Sequence, residues 1–288
     1  MQHGIENKLG CASEEEKVVM IEPSIPRLKP KANREKLTQI MFEEFKVTHY
    51  YAISDAVCSV MATGESSGMV LHSGGKVTYT VPVLDGYCMD DRSTAKMIEL
   101  GGEDCTDYMM KILTERGYSW WRRQGIETDI KQKMCYVALD FEKEMGNPKD
   151  KEYELPDGML VTMGNERFRT PEIMFNPDII GMECDGIHTL LYDSIMHCDV
   201  DRRKELWDNV IMTGGNTLFD GFTNRLKKEL DSLAPDSMNV NIIATEDRNI
   251  IAWKGASMVA HNLDAHDLWI SKQDYDEHGP SIIHRKCT

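Results

Sequence analysis

Two short glycine turns carry the residue types with the most chemical potential. Ser73-Gly74-Gly75 follows the apolar run Met69-Val70-Leu71, and Gly214-Gly215-Asn216-Thr217 follows an apolar strand that begins at Val210. Glycine lets a backbone approach a phosphate closely, and N–H groups exposed at such turns bind anions. A helix is expected from about Phe219 to Leu233, and a helix start after the second turn would add a dipole that favours negative charge. Taken singly, either turn also reads as a tight turn chosen for its geometry. Neither spells the P-loop or the dinucleotide fingerprint.

Other reaction chemistry has no motif here. The sequence contains no nucleophile elbow, no H-E-x-x-H and no kinase set. His261 and His266 are not at i, i+4 spacing and read as surface residues. The cysteines are Cys11, Cys58, Cys88, Cys105, Cys135, Cys184, Cys198 and Cys287, with none in a C-x-x-C pair. Several sit in apolar runs, so buried free thiols in a reducing compartment are expected and a zinc site is not. Trp120-Trp121-Arg122-Arg123 reads either as a loop packed on its own domain or as a contact for a protein partner.

The elements that must position the turns follow from periodicity. KVVMIEP at 17–23 reads as a strand, and Leu37, Ile40, Met41 and Phe45 predict a helix over about 32–46. A second helix covers about 54–62 and stops at Gly64. Met69 to Leu71 and the alternating Val77, Tyr79, Val81 and Val83 form a hairpin around the first glycine turn. An amphipathic helix with Cys105, Tyr108, Met109, Ile112 and Leu113 on one face ends near Gly117. Another is expected from Ile126 to Met145. Pro156-Asp157-Gly158 is a turn before a strand, and Val240 to Ala244 is a short strand. Strands and helices mixed with crossovers indicate an α/β fold.

The chain has 288 residues, 41% hydrophobic and 28% charged, enough for one large domain or two smaller lobes. A formal net charge of −15 argues against nucleic acid as a main partner. No run approaches the roughly 18 uninterrupted apolar residues of a membrane span. The opening MQHGIENKLG has no apolar stretch that would mark it for secretion.

Longer runs go further. PKANREKLTQIMFEEF at 30–45, MKILTERGYS at 110–119, CYVALDFE at 135–142, YELPDG at 153–158, GNERFR at 164–169 and the tail LWISKQDYDEHGPSIIHRKC at 268–287 resemble actin segments almost letter for letter. The resemblance covers Pro30 to Thr288, and residues 7–22 match more loosely. It implies the actin/hexokinase-type fold, two lobes around a nucleotide cleft. Residues 1–62 and 251–288 would be what remains of the small lobe. Residues 63–250 would be the large lobe, with 63–100 and 183–250 inner and 101–182 outer. The family's first phosphate hairpin and small outer subdomain have no counterpart, so the strand near Val18 to Ile21 is expected to lose neighbours.

The resemblance also implies a site. Ser73 and Gly74 keep the phosphate-facing pattern, and Lys131, Gly214, Gly215, Asn216, Leu218 and Phe219 fall on the base side. ATP or ADP is implied, held weakly, with magnesium. The family's acidic residues in the hairpin become His72 and Gly75, a Gly becomes Lys76, a water-placing His becomes Tyr79 and a water-orienting Gln aligns with Asp55. Near the base, Gln132, Thr128 and Asn249 replace charged residues. The expected function is therefore a divergent actin-like cytoskeletal or interaction protein with weak or lost ATPase activity. The alternatives are a functional ATP-binding, filament-forming actin and a non-functional truncated copy; a sugar-kinase-like enzyme lacks a candidate acceptor base. Partners would be actin or actin-binding proteins, meeting a groove whose floor includes Met61, Ala62 and Gly64. The implied location is the cytoplasm and cytoskeleton.

Overall fold

A computed structural model describes residues 16–118, 125–266 and 268–287. The Trp120-Trp121-Arg122-Arg123 cluster, the first fifteen residues with Cys11, and the side chain of His266 lie outside the described residues. In chain order the strands are β1 (Lys17–Glu22), β2 (His49–Ser54), β3 (Gly68–Ser73), β4 (Thr78–Leu84), β5 (Tyr87–Cys88), β6 (Lys96–Ile98), β7 (Lys151–Glu154), β8 (Leu160–Met163), β9 (Val210–Thr213), β10 (Ile242–Ile243) and β11 (Ile270–Ser271). The helices are α1 (Lys31–Glu43), α2 (Asp55–Ala62), α3 (Gly102–Glu115), α4 (Ile126–Met134), α5 (Phe141–Met145), α6 (Glu166–Glu172), α7 (Ile187–Met196), α8 (Val200–Asp208), α9 (Phe222–Leu233), α10 (Ile251–His266), α11 (Lys272–His278) and α12 (Ile283–Lys286).

The chain divides into two compact units, one of residues 1–67, 83–91 and 250–288, the other of 68–82 and 92–249. Residues 63–67 and 83–91 thus go with the first unit. Its sheet runs β1-β2-β11, with β1 parallel to β2 and β11 antiparallel to it. Val18 and Met20 pack on a core of Met41, Phe42, Tyr50, Ile270 and Ile283. Val19 and Ile21 pack on a second core of Cys58, Ala256, Val259, Leu263 and Trp269. Alternate residues of β1 therefore serve two cores, and a strand apolar on both faces suits a sheet covered on both sides. Among the described residues β1 has one strand neighbour and stands at the sheet edge.

Helix α1 stops at Glu43, short of the expected end, because the chain turns at Lys46, which holds a positive φ of 51°. Its buried face is Thr38, Met41 and Phe42, rotated from the Leu37-Ile40-Met41-Phe45 stripe. Phe42 stacks on Tyr275 at 4.7 Å, which fixes that rotation.

The second unit carries β10-β9-β3-β4, with β9 parallel to both β10 and β3, and β6 antiparallel to β4. The chain β9-α9-β10 is a crossover joining parallel strands, as α1 joins β1 to β2. β7 and β8 form a separate hairpin around Pro156-Asp157-Gly158. The single helix expected from Ile126 to Met145 is two. Between them Tyr136 N–H donates to the Arg167 carbonyl and Val137 N–H to the Asp220 carbonyl, pulling 135–140 out of helix. Asp140 then caps α5 by accepting from Lys143 N–H at 3.1 Å. Five cysteines are buried free thiols, while Cys88 and Cys184 are half-buried. Among the described residues no helix is long and apolar enough to cross a membrane.

Candidate functional site

A cavity of about 530 Å³ lies in the second unit. Gly74 and Gly75 reach it from the β3–β4 turn, Gly102, Glu103 and Thr106 from the start of α3, and Thr128, Lys131 and Gln132 from one face of α4. Gly215, Asn216, Leu218, Phe219 and Asn249 complete the lining. Strands β3 and β9 are parallel neighbours, so the turns that follow them come out side by side.

Asn216 ties the two turns together. Its Nδ2 donates to the Ser73 hydroxyl at 3.1 Å and to the Gly74 carbonyl at 2.6 Å. The Ser73 hydroxyl, fully buried, also meets Thr78 Oγ1 at 2.9 Å. Gly214 has a φ of 93°, and a Cβ there would overlap the Ser73 backbone carbonyl. Ser73 and Gly214 thus stand behind the wall, while Gly74, Lys131, Gly215, Asn216, Leu218 and Phe219 are in it. Arg248 braces the second turn, donating to Thr217 Oγ1 at 3.1 Å and to the Thr217 carbonyl at 2.7 Å.

The start of α3 closes against the first turn. Gly102 N–H donates to the Gly74 carbonyl at 3.0 Å and Glu103 N–H to the Gly75 carbonyl at 2.7 Å. A Cβ at Gly101 would lie 2.6 Å from the Gly75 carbonyl oxygen, and one at Gly102 would lie 2.6 Å from Asn216 Oδ1. Glycine at both positions is what allows this approach. Sequence reading missed Gly102, Glu103 and Thr106; the Gly101-Gly102 pair opening an amphipathic helix was the available signal.

Lys131 is buried, and its Nζ donates to the Gly102 carbonyl at 2.5 Å. Burial lowers its pKa; the neighbouring thiols and Glu103 act the other way. The second turn leads into a single 3-10 turn over Gly215–Leu218, not into a long helix. Helix α9 begins only at Phe222, after Gly221, whose φ of 81° lets the chain pass under the Val137 carbonyl. The dipole expected at Gly214-Gly215 is therefore displaced. The fold spends those residues on tight packing and postpones the helix.

The substituted phosphate-side residues pack on each other. His72 and Tyr79 stack at 4.7 Å with 20° between their planes, and His72 Nδ1 meets Thr213 Oγ1 at 2.8 Å. A Cβ at Gly74 would lie 3.0 Å from His72 Nε2, so the imidazole sits against the glycine turn. Lys76 is exposed and is not part of the lining. Asp55, in the first unit, has its carboxylate bound by the Ser24 N–H at 3.0 Å and by the Ser24 hydroxyl.

Leu218 and Phe219 give one side of the cavity apolar faces, and Thr128, Gln132 and Asn249 add neutral polar groups, a lining chemically compatible with a purine. A magnesium site of the family's type fits poorly. The turn presents glycines backed by an imidazole where oxygen donors are needed, and among the described residues Glu103 is the one carboxylate in the lining. Among the described residues no group of three His, Cys, Asp or Glu stands together as metal ligands.

Glycine turns that follow parallel strands, tied together by Asn216 and facing a buried lysine and an apolar shelf, define a cavity on a mixed α/β scaffold. The family model described as Actin matches residues 1–288, and the chain belongs to the actin family.

Proposed function

We propose that this actin-family chain is a cytoskeletal or protein-interaction component that holds the nucleoside end of a nucleotide better than its phosphates. Turnover of ATP is slow or lost. The charge of the cavity lining supports this reading. Lys131 and Glu103 are its charged residues, and their formal charges cancel. The lysine is already committed to the Gly102 carbonyl. A triphosphate carries several negative charges, and its hydrolysis needs a positioned water and groups that neutralise developing charge. The His72–Tyr79 stack occupies the positions where the resemblance expects an acid and a histidine.

The interaction reading draws on α10, where Trp253 is 63% and Met258 is 53% exposed, and on Met61 of α2. Those helices pack together in the first unit, close through Gly255 against the Cys58 carbonyl. Where such residues join into a contiguous patch they mark a partner-binding surface. The reading places the protein in the cytoplasm among actin and actin-binding proteins.

Calorimetric titration with adenosine, ADP and ATP, each with and without magnesium, tests the nucleotide part. Adenosine and ATP should bind within about tenfold of each other, a gap of about 1.4 kcal/mol, with little response to magnesium. Magnesium-dependent release of inorganic phosphate, coupled to ATP binding much tighter than adenosine, would refute the proposal. Co-sedimentation with actin filaments checks the interaction part.

A further inference from the structure

We propose that a second cavity, separate from the glycine-turn site, binds a phosphate group, free or carried on a small molecule. It encloses about 370 Å³ between the end of α4, the 149–151 segment, α6 and Gly221. Lys133, Lys149, Lys151 and Arg167 line it, against Glu144 and Asp220. This excess of cations stands on a chain whose formal net charge is −15.

The partners of these cations carry the argument. Lys133 is matched by Asp129 at 2.8 Å. Arg167 is half-buried, yet its Nε donates to the Met134 carbonyl at 2.9 Å and its Nη1 to the Lys149 carbonyl at 3.2 Å, both neutral. Its guanidinium lies 4.8 Å over the Tyr136 ring, which holds the planar group in place. Arg34, Arg116 and Arg225 each meet a carboxylate instead. The ammonium groups of Lys149 and Lys151 have no ion-pair partner among the described residues. Glu144 accepts from the Tyr136 hydroxyl at 2.6 Å, which holds its carboxylate against the tyrosine, and the four cations still outnumber Glu144 and Asp220.

A held guanidinium fork, two of whose N–H groups serve backbone carbonyls, and two exposed ammonium groups around one recess form a donor set for an oxyanion. The recess is larger than a phosphate, leaving room for a small carrier. This inference does not rest on the nucleotide reading, because the two cavities share no lining residue.

The test is amide chemical-shift mapping of the labelled chain at constant ionic strength set with chloride. One arm is titrated with inorganic phosphate, the other with glycerol 3-phosphate. Saturable shifts at Cys135, Tyr136, Val137 and Lys149 to Lys151 are expected in at least one arm. Saturation by inorganic phosphate means a free anion, and a response to the ester alone means a carrier. In the Lys149→Ala/Lys151→Ala variant, whose changes are on exposed side chains, the apparent Kd should rise at least fivefold. Arg167→Lys, which keeps the charge and loses the fork, should weaken binding too. Shifts absent there in both arms, or confined to Gly74, Gly75 and Gly215, would overturn the proposal, as would an unchanged Kd in the double variant.

Discussion

Glu103 places a negative charge beside the first glycine turn, where the proposed nucleotide would carry its phosphates. The Glu103 backbone N–H donates to the Gly75 carbonyl, and its Oε1 would lie 3.8 Å from a Cβ at Gly75, so the carboxylate stands next to the glycine turn. Two unit charges about 4 Å apart interact by roughly 1 kcal/mol in a water-like medium and more where water is excluded. Glu103→Gln should therefore tighten ADP binding about fivefold or more and leave adenosine binding unchanged, read by calorimetry. Equal gains for both ligands would place the effect on the nucleoside and not the phosphate. Much of this site was legible in the residues themselves. Gly74, Gly215 and Asn216 stood out as turn residues, and Lys131, Leu218 and Phe219 through family likeness. The share of Ser73 and Gly214 in the work was not legible, because whether a hydroxyl faces a ligand or a neighbouring side chain depends on Asn216, 143 positions away from Ser73. Glu103 escaped for a similar reason: a glutamate in a first helical turn reads as ordinary dipole complementarity.

Elements with strong local signals came through, and those set by distant pairing did not. The hairpin around Gly74 and the stop of α2 at Gly64, with its φ of 83°, follow from local chemistry. The break between α4 and α5 depends on Arg167 and Asp220, which no window around Cys135 contains. Two elements make measurable predictions. In α10, a Cβ at Gly255 would overlap the Cys58 carbonyl of α2, so Gly255→Ala must push the helices apart. Overpacking of this kind costs about 1–3 kcal/mol, and urea denaturation should show the midpoint fall without a large change in slope. In α11, whose N-cap is Ser271, Asp274 is the N3 partner of the capping box: it accepts from the Ser271 N–H and hydroxyl and binds Lys286 at 2.8 Å. Burial acts to raise its pKa, but the bonds from Lys286 and Ser271 outweigh it and hold the carboxyl at about 2. A depressed acid stabilises the fold above its unfolded value and loses that effect as pH falls through the folded one. The stability gap between wild type and Asp274→Asn, about 1 kcal/mol for a weakened capping box, should thus be constant above pH 5 or so, shrink from about pH 4 downward and be mostly gone at about pH 1. A gap unchanged from pH 5 to about pH 1 would mean that the side chain acts by shape and not by charge.

At the scale of the whole molecule, the two units carry their own thiol reporters. Cys58 and Cys287 are buried in the first, and Cys105, Cys135 and Cys198 in the second. Burial pushes Cys58, Cys105 and Cys135 up to about 12 and Cys287 up to about 11. Since the thiolate is the reactive form, each of these reacts only when its surroundings open. Cys184 is half-buried and should be the first of the described thiols to react, whereas burial pushes Cys88 up to about 11 and keeps it as slow as Cys287. A ligand that binds only the folded form of one unit lowers the open population of that unit by the factor 1 + [L]/Kd. The glycine-turn cavity is lined wholly by the second unit, and Lys131 sits in the fields of Cys105 and Cys135. ADP at about ten times its Kd should therefore slow alkylation of Cys105 and Cys135 about tenfold and leave Cys58 and Cys287 untouched, as followed by mass spectrometry of digested samples at pH 8. Equal slowing of both sets would show that the units open together, and the ligand would then be stabilising one cooperative body. Slowing of Cys58 and Cys287 alone would move the nucleotide out of this cavity altogether.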